Sequence, residues 1–135
     1  MADDKRIDTL QDFLQRYFRG DVEGALALLH PDVRYRVPGR HFRSGVFHGR
    51  DEVARHLGEY TQFTNDSSDI LKWEDWLVGL RYVGAVTTTR SQHAGSLMTS
   101  RTFFLAAFSG DGLIEDFEVF FSDEGALDRF TAGSK

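Results

Sequence analysis

Cysteine is absent from this 135-residue chain, which excludes disulfides and thiolate metal sites. Proline occurs twice, and both copies read as interruptions, Pro31 ending a helix and Pro38-Gly39 ending a strand. No apolar run approaches the roughly 20 residues that a membrane-spanning helix needs. The N-terminal Met1-Ala2-Asp3-Asp4-Lys5-Arg6 leads into an amphipathic pattern without the apolar stretch of a signal peptide. Positive charge is in deficit, with 16 Lys and Arg against 21 Asp and Glu and a net charge of −5. Nucleic acid needs a basic surface that displaces counterions, so it is not an expected partner. A membrane is not expected either. These absences describe a soluble single domain spanning residues 1–135, and a cysteine-free chain fits the cytoplasm.

What the chain has in quantity is phenylalanine. Twelve Phe in a composition that is 41% apolar suit a protein that lines a pocket with aromatic faces. Ile7, Leu10, Phe13, Leu14, Tyr17 and Phe18 recur at helical spacing up to Gly20. Asp21 is placed to cap a second helix with Val22, Ala25, Leu26 and Leu29 on one face, stopping near Pro31. Val33, Tyr35 and Val37 alternate with Arg34 and Arg36, the period of a half-buried strand. A polar loop follows, and Asp51 can cap a third helix with Val53, Leu57 and Tyr60 as its apolar stripe.

From Ile70 onward β-branched and aromatic residues dominate. The segments 70–73, 76–89, 98–108 and 113–121 read as strands, with Ser109-Gly110-Asp111-Gly112 as a hairpin turn. A short helix from Glu124 to Phe130 is expected to close the chain. Helices first and antiparallel hairpins afterwards make an α+β domain.

That order resembles the nuclear transport factor 2-like superfamily. Within it the chain is most similar to the SnoaL-like polyketide cyclases and their relatives, the ketosteroid isomerases and limonene epoxide hydrolases. The residues that carry the likeness are Gly20-Asp21, Pro31-Asp32-Val33, Pro38-Gly39, Gly45, Gly49-Arg50, Gly112-Leu113-Ile114, Phe117, Phe120-Phe121 and Asp123. The resemblance implies a cone-shaped, curved antiparallel sheet wrapped round three N-terminal helices, with a single cavity for a hydrophobic polyketide- or terpenoid-like molecule. It also implies a homodimer formed through the sheet face.

The catalytic groups of those relatives are not repeated. Where ketosteroid isomerases keep a Tyr and two Asp, the matching positions are Phe13, Val37 and Phe104, none of which can move a proton. Where a last-strand carboxylate would point inward, this chain has Val119. The hydrolases' Arg-x-Asp is met only by Arg81-Tyr82-Val83, which keeps the Arg and lacks the acid. Strand alternation turns Phe117, Val119 and Phe121 inward and sends Asp116 and Glu118 to the opposite face.

Three candidate catalytic residues remain. His41 and His48 flank the loop after the first strand, where a histidine serves either as an acid or base near neutral pH or as a backbone-bonded loop residue. Tyr35 points inward and both donates and accepts hydrogen bonds, or acts as a core aromatic. Ser100 and Thr102 share the inward phase of Phe104 and are candidate polar groups of the pocket. With Phe13, Val37, Trp73, Arg81, Phe117, Val119 and Phe121 they complete the expected ligand-binding set. Trp73 and Trp76, three apart on a strand, are expected on opposite faces. The five histidines show no compact metal-ligand spacing, and neither a metal nor an organic cofactor is expected. Two function classes stay open: an enzyme of cyclase, isomerase or epoxide hydrolase type, and a non-catalytic binding or assembly module.

Overall fold

The computed structural model describes residues 4–38, 44–64, 69–93 and 96–122. Helix α1 (Lys5–Phe18) begins at Asp4, whose carboxylate accepts the Arg6 backbone N–H, and ends before Gly20 at a φ of 87°. Leu10, Phe13, Leu14 and Tyr17 are its buried stripe, the i, i+3, i+4, i+7 spacing that the sequence shows.

Helix α2 (Val22–Leu26) is shorter than expected, and strand β1 (Leu29–Val37) already includes Leu29. Pro31 explains the difference, because it biases His30 away from the helical region and so stops the helix upstream. The chain is irregular around that proline. The parallel pairing of β1 with the last strand shifts register between Leu29 and Arg34. The Leu29 carbonyl accepts from the Arg50 guanidinium, with Nε at 2.8 Å.

The loop expected after Pro38 contains a strand, β2 (Gly45–His48), paired antiparallel with β1. It is too short, and too exposed at three of its four residues, to show period-two alternation. Gly49, at a φ of 80°, turns β2 directly into helix α3 (Gly49–Thr64). Val53 and Leu57 are fully buried on α3, and the side chain of Tyr60 lies outside the described residues.

Strand β3 (Asp69–Val78) is continuous through Glu74 and Asp75, where the sequence reading had placed a break. The break comes later, at a tight turn in which the Gly79 N–H donates to the Tyr82 carbonyl at 2.8 Å. Strands β4 (Tyr82–His93), β5 (Ser96–Phe108) and β6 (Ile114–Phe121) complete a sheet in the order β2-β1-β6-β5-β4-β3. Every neighbouring pair is antiparallel except β1 with β6. The Ser109–Gly112 turn joins β5 to β6 as expected, with Gly112 at a φ of 85°. The Glu124–Phe130 helix lies outside the described residues.

The curved sheet packs its inner face on the helices. Leu10, Phe13 and Leu14 of α1, Ala25 of α2 and Val53 and Leu57 of α3 meet Val33, Val83, Ala85, Ala106, Ile114 and Phe117 from the strands. Removing each large side chain of this set from water contributes about 1.5–3 kcal/mol. The α+β architecture, with a curved, unclosed six-stranded sheet and helices on its inner face, is the one expected. Among the described residues no helix is long and apolar enough to cross a membrane.

Candidate functional site

One end of the sheet is left open by the helices. There β1 and β6 finish at Val37 and Phe121, β4 nears its end at Ser91, and β5 has just begun at Met98. Because β1, β6 and β4 all run toward this end and β5 runs away from it, residues far apart in sequence meet round one cavity. It offers about 40 Å³ to the centre of a water-sized sphere, several times the roughly 10–15 Å³ that a single water needs. Tyr17 and Phe18 line it from α1, and His56 lines it from α3. Tyr35 and Val37 enter from β1, Thr89 and Ser91 from β4, Met98, Thr102 and Phe104 from β5, and Val119 and Phe121 from β6.

Aromatic rings make the floor. Phe117 stacks on Tyr35 with centroids 4.8 Å apart and meets Phe13 edge-on at 5.1 Å. It lies 5.9 Å from Phe104. Phe18 meets Phe104 edge-on at 6.2 Å. Offset and edge-to-face pairs of this kind hold rings in fixed orientations.

Two polar clusters interrupt the apolar lining. On the α3 side, His56 is 2% exposed and lies between the rings of Phe47 and Tyr35, with centroids at 4.5 and 5.4 Å. On the sheet side, Thr89 and Thr102 are buried, and their hydroxyl oxygens lie 2.9 Å apart. The Thr89 hydroxyl also reaches the Ser100 carbonyl at 3.4 Å, while Thr87 donates to the Thr102 carbonyl at 3.0 Å. No Asp, Glu, Lys or Arg lines the cavity among the described residues.

The residues singled out in the sequence divide accordingly. Tyr35, Val37, Thr102, Phe104, Val119 and Phe121 come together round the cavity. Phe13 and Phe117 lie beneath it, both fully buried in the core. Ser100 has the inward phase, but its hydroxyl donates to the Arg101 carbonyl and it does not line the cavity. Arg81 sits in the exposed β3–β4 turn over the ring of Tyr82, at 5.3 Å. Asp116 and Glu118 are on the outer face, where Glu118 pairs with Arg36 at 3.4 Å.

His48 is exposed on β2 and away from the cavity lining. Its backbone N–H donates to Glu52 at 2.9 Å, an arrangement that supports the start of α3. His41 lies outside the described residues. Trp73 and Trp76 do not face opposite sides. A register shift between Trp73 and Asp75 inserts an extra residue, and the two indoles stack at 5.4 Å and 12° against the core. Neither lines the cavity.

His56, whose spacing from His48 gives no metal-ligand geometry, and Thr89 and Ser91 were not among the expected site residues, although the pattern that places them is in the sequence. His56 stands three residues after Val53 on the helical stripe. Thr89 and Ser91 continue the inward phase of Val83, Ala85 and Thr87.

Comparison with known proteins agrees with this geometry. An uncharacterised protein of Mycobacterium tuberculosis is 32% identical over 133 residues, covering 98% of this chain and all of that one. The solved structure of Bal32a, from a soil-derived mobile gene cassette, superposes with a TM-score of 0.86 at 19% identity, over 93% of this chain and 95% of the other. TerC, solved with polyporic acid, has a TM-score of 0.83 at 17% identity, over 96% and 99%. Both solved structures share the fold of this chain. The model of the SnoaL-like domain matches residues 10–117, so the chain belongs to the SnoaL-like family.

Proposed function

We propose that this chain is a small-molecule enzyme of cyclase or isomerase type, acting on a hydrophobic ring compound of polyketide or terpenoid character. The observation that carries the reading is the pairing of His56 with Tyr35 on the wall of an otherwise apolar cavity. An imidazole is the side chain best able to accept and return a proton near neutral pH. A phenol beside it can donate a hydrogen bond to a substrate oxygen that gains charge as that proton leaves. His56 would take a proton from the carbon next to a carbonyl and return it to another carbon of the same substrate. Such a step balances without a cofactor. The aromatic walls would hold the substrate dry and oriented. TerC, of the same fold, was co-crystallised with polyporic acid, which supports a small-molecule ligand for this chain.

That no carboxylate lines the cavity among the described residues supports the second reading, a binding module of the same fold. Turnover decides between the two. A panel of cyclic enones, β-diketones and epoxides is offered to the wild-type protein and to His56→Phe and Tyr35→Phe. The enzyme reading expects turnover of at least one substrate, lost in His56→Phe while ligand binding persists. Ligand binding without turnover across the panel, or turnover indifferent to both substitutions, would refute it.

A further inference from the structure

The threonine pair on the sheet side has a property that the apolar lining does not. The Thr89 hydroxyl has two acceptors within reach, the Ser100 carbonyl at 3.4 Å and the Thr102 hydroxyl at 2.9 Å. If Thr89 donates to Ser100, Thr102 donates to Thr89, and the Thr102 oxygen keeps a lone pair for the cavity. If Thr89 donates to Thr102 instead, the Thr102 hydrogen is released toward the cavity. The Thr102 carbonyl is taken by Thr87 at 3.0 Å, so the hydroxyl pair turns independently of it. One side chain thus presents an acceptor or a donor, the donor form pairing its hydrogen once a ligand oxygen is present.

Charge sets the complementary limit. No Asp, Glu, Lys or Arg among the described residues lines the cavity and His56 is its one basic side chain, so an ionised ligand group there would lose its hydration without a permanently charged partner.

We propose that Thr102, switched by Thr89, is the polar recognition element on the sheet side of this cavity, and that its ligand is an uncharged ring compound that presents one oxygen, as hydroxyl or carbonyl, to that side. The inference rests on the cavity being a binding site but does not depend on turnover. It implies that an alcohol and the ketone related to it are held alike. The reactions that supply or consume the ligand can therefore include those that interconvert the two.

A matched series tests it: tetralin, α-tetralone, α-tetralol and 1,2,3,4-tetrahydro-1-naphthoate, titrated into the full chain and followed by amide and methyl NMR shifts. The two oxygenated neutral compounds are expected to bind about five- to tenfold more tightly than tetralin, the size of one neutral hydrogen bond, and the carboxylate more weakly than tetralin. Thr102→Val should reduce both to the tetralin level with tetralin affinity unchanged, and Thr102→Ser should restore them. In the wild-type protein, α-tetralone should shift the Thr102 resonances more than tetralin does, a readout that needs no variant. Oxygenated compounds binding no better than tetralin, a preference that survives Thr102→Val, or a carboxylate that binds best would each overturn the inference and leave the cavity standing. Failure of every compound to bind would overturn both.

Discussion

The imidazole of His56 lies stacked on the ring of Phe47, with centroids 4.5 Å apart and planes inclined by 26°. Helix α3 thereby fixes this imidazole against the short strand β2, while Tyr35 of β1 holds its other side. His56→Phe keeps a ring in that slot and should retain the fold. His56→Ala opens a void among buried side chains and should cost on the order of 2–4 kcal/mol. Urea unfolding measures the difference. If His56→Ala is as stable as the wild-type protein, the imidazole does not have the packing role assigned to it.

Tyr35 and Phe117 carry a separable prediction. Their rings stack at 4.8 Å, and Phe117 also touches Phe13 and Phe104. Phe117→Ala should therefore destabilise by about 3–5 kcal/mol, because rings on three sides lose their partner. Tyr35→Phe preserves the stack and removes only a hydroxyl, so its effect on stability should stay within about 1.5 kcal/mol. The pair of unfolding curves checks both, and a Phe117→Ala loss no larger than that of Tyr35→Phe would contradict the floor described for the cavity.

Much of this was readable from the residues. The alternation at Val33, Tyr35 and Val37 located the inward face of β1, and the same rule removed Asp116 and Glu118 from the site. Three features escaped it, for physical reasons. The bulge between Trp73 and Asp75 changes the parity of β3, and a period-two reading carries no term for an inserted residue. Strand β2 is a hairpin partner whose pairing is set by β1 and not by its own four residues. His56 shares the helical stripe of Val53 and Leu57, but a polar residue on an amphipathic helix is ordinarily on its solvent face, and spacing alone does not show that this one is buried. The cavity's polar strip on β4 was available from alternation alone, but a Thr-Thr-Thr run reads first as strand propensity.

The second helix has an acid-sensitive start. The Asp21 carboxylate accepts the Gly24 N–H at 3.0 Å and pairs with Arg16 at 3.0 Å. The Gly24 hydrogen bond, more than the Arg16 contact, holds it below its ordinary value of 3.8, partly opposed by desolvation. A carboxyl depressed in the folded state contributes stability that is complete above its unfolded value and is lost as pH falls through the folded one. Thermal unfolding of wild-type protein and Asp21→Ala should differ near neutral pH and converge below about pH 3.8. Asp21→Asn, which keeps an acceptor for Gly24 without the charge, should fall between them. A difference that grows toward acid would show that the carboxylate is not the group responsible.

The outer face of the sheet, opposite the cavity, carries apolar side chains at the surface. Phe103 and Phe120 stand in register across β5 and β6 with rings 5.9 Å apart, and Phe120 is 39% exposed. Gly84 gives Phe103 its seat, since a Cβ there would meet the edge of that ring at 2.5 Å. Half-buried Val86 and Leu105 continue the face. We propose that a second copy of the chain covers it, with Glu118, in register with Leu105, already paired to Arg36 within each protomer; a stable dimer needs about 800 Å² from each partner. Sedimentation at micromolar concentration should give twice the 15.4 kDa chain mass. Phe103→Asp combined with Phe120→Asp should give the single-chain mass, because two buried carboxylates facing their own copies across a two-fold axis would repel. The cavity lies on the other side of the sheet, so ligand affinity in the monomeric variant should be retained. A wild-type mass of 15.4 kDa would rule the dimer out, and a variant that still sediments as a dimer would move the interface elsewhere.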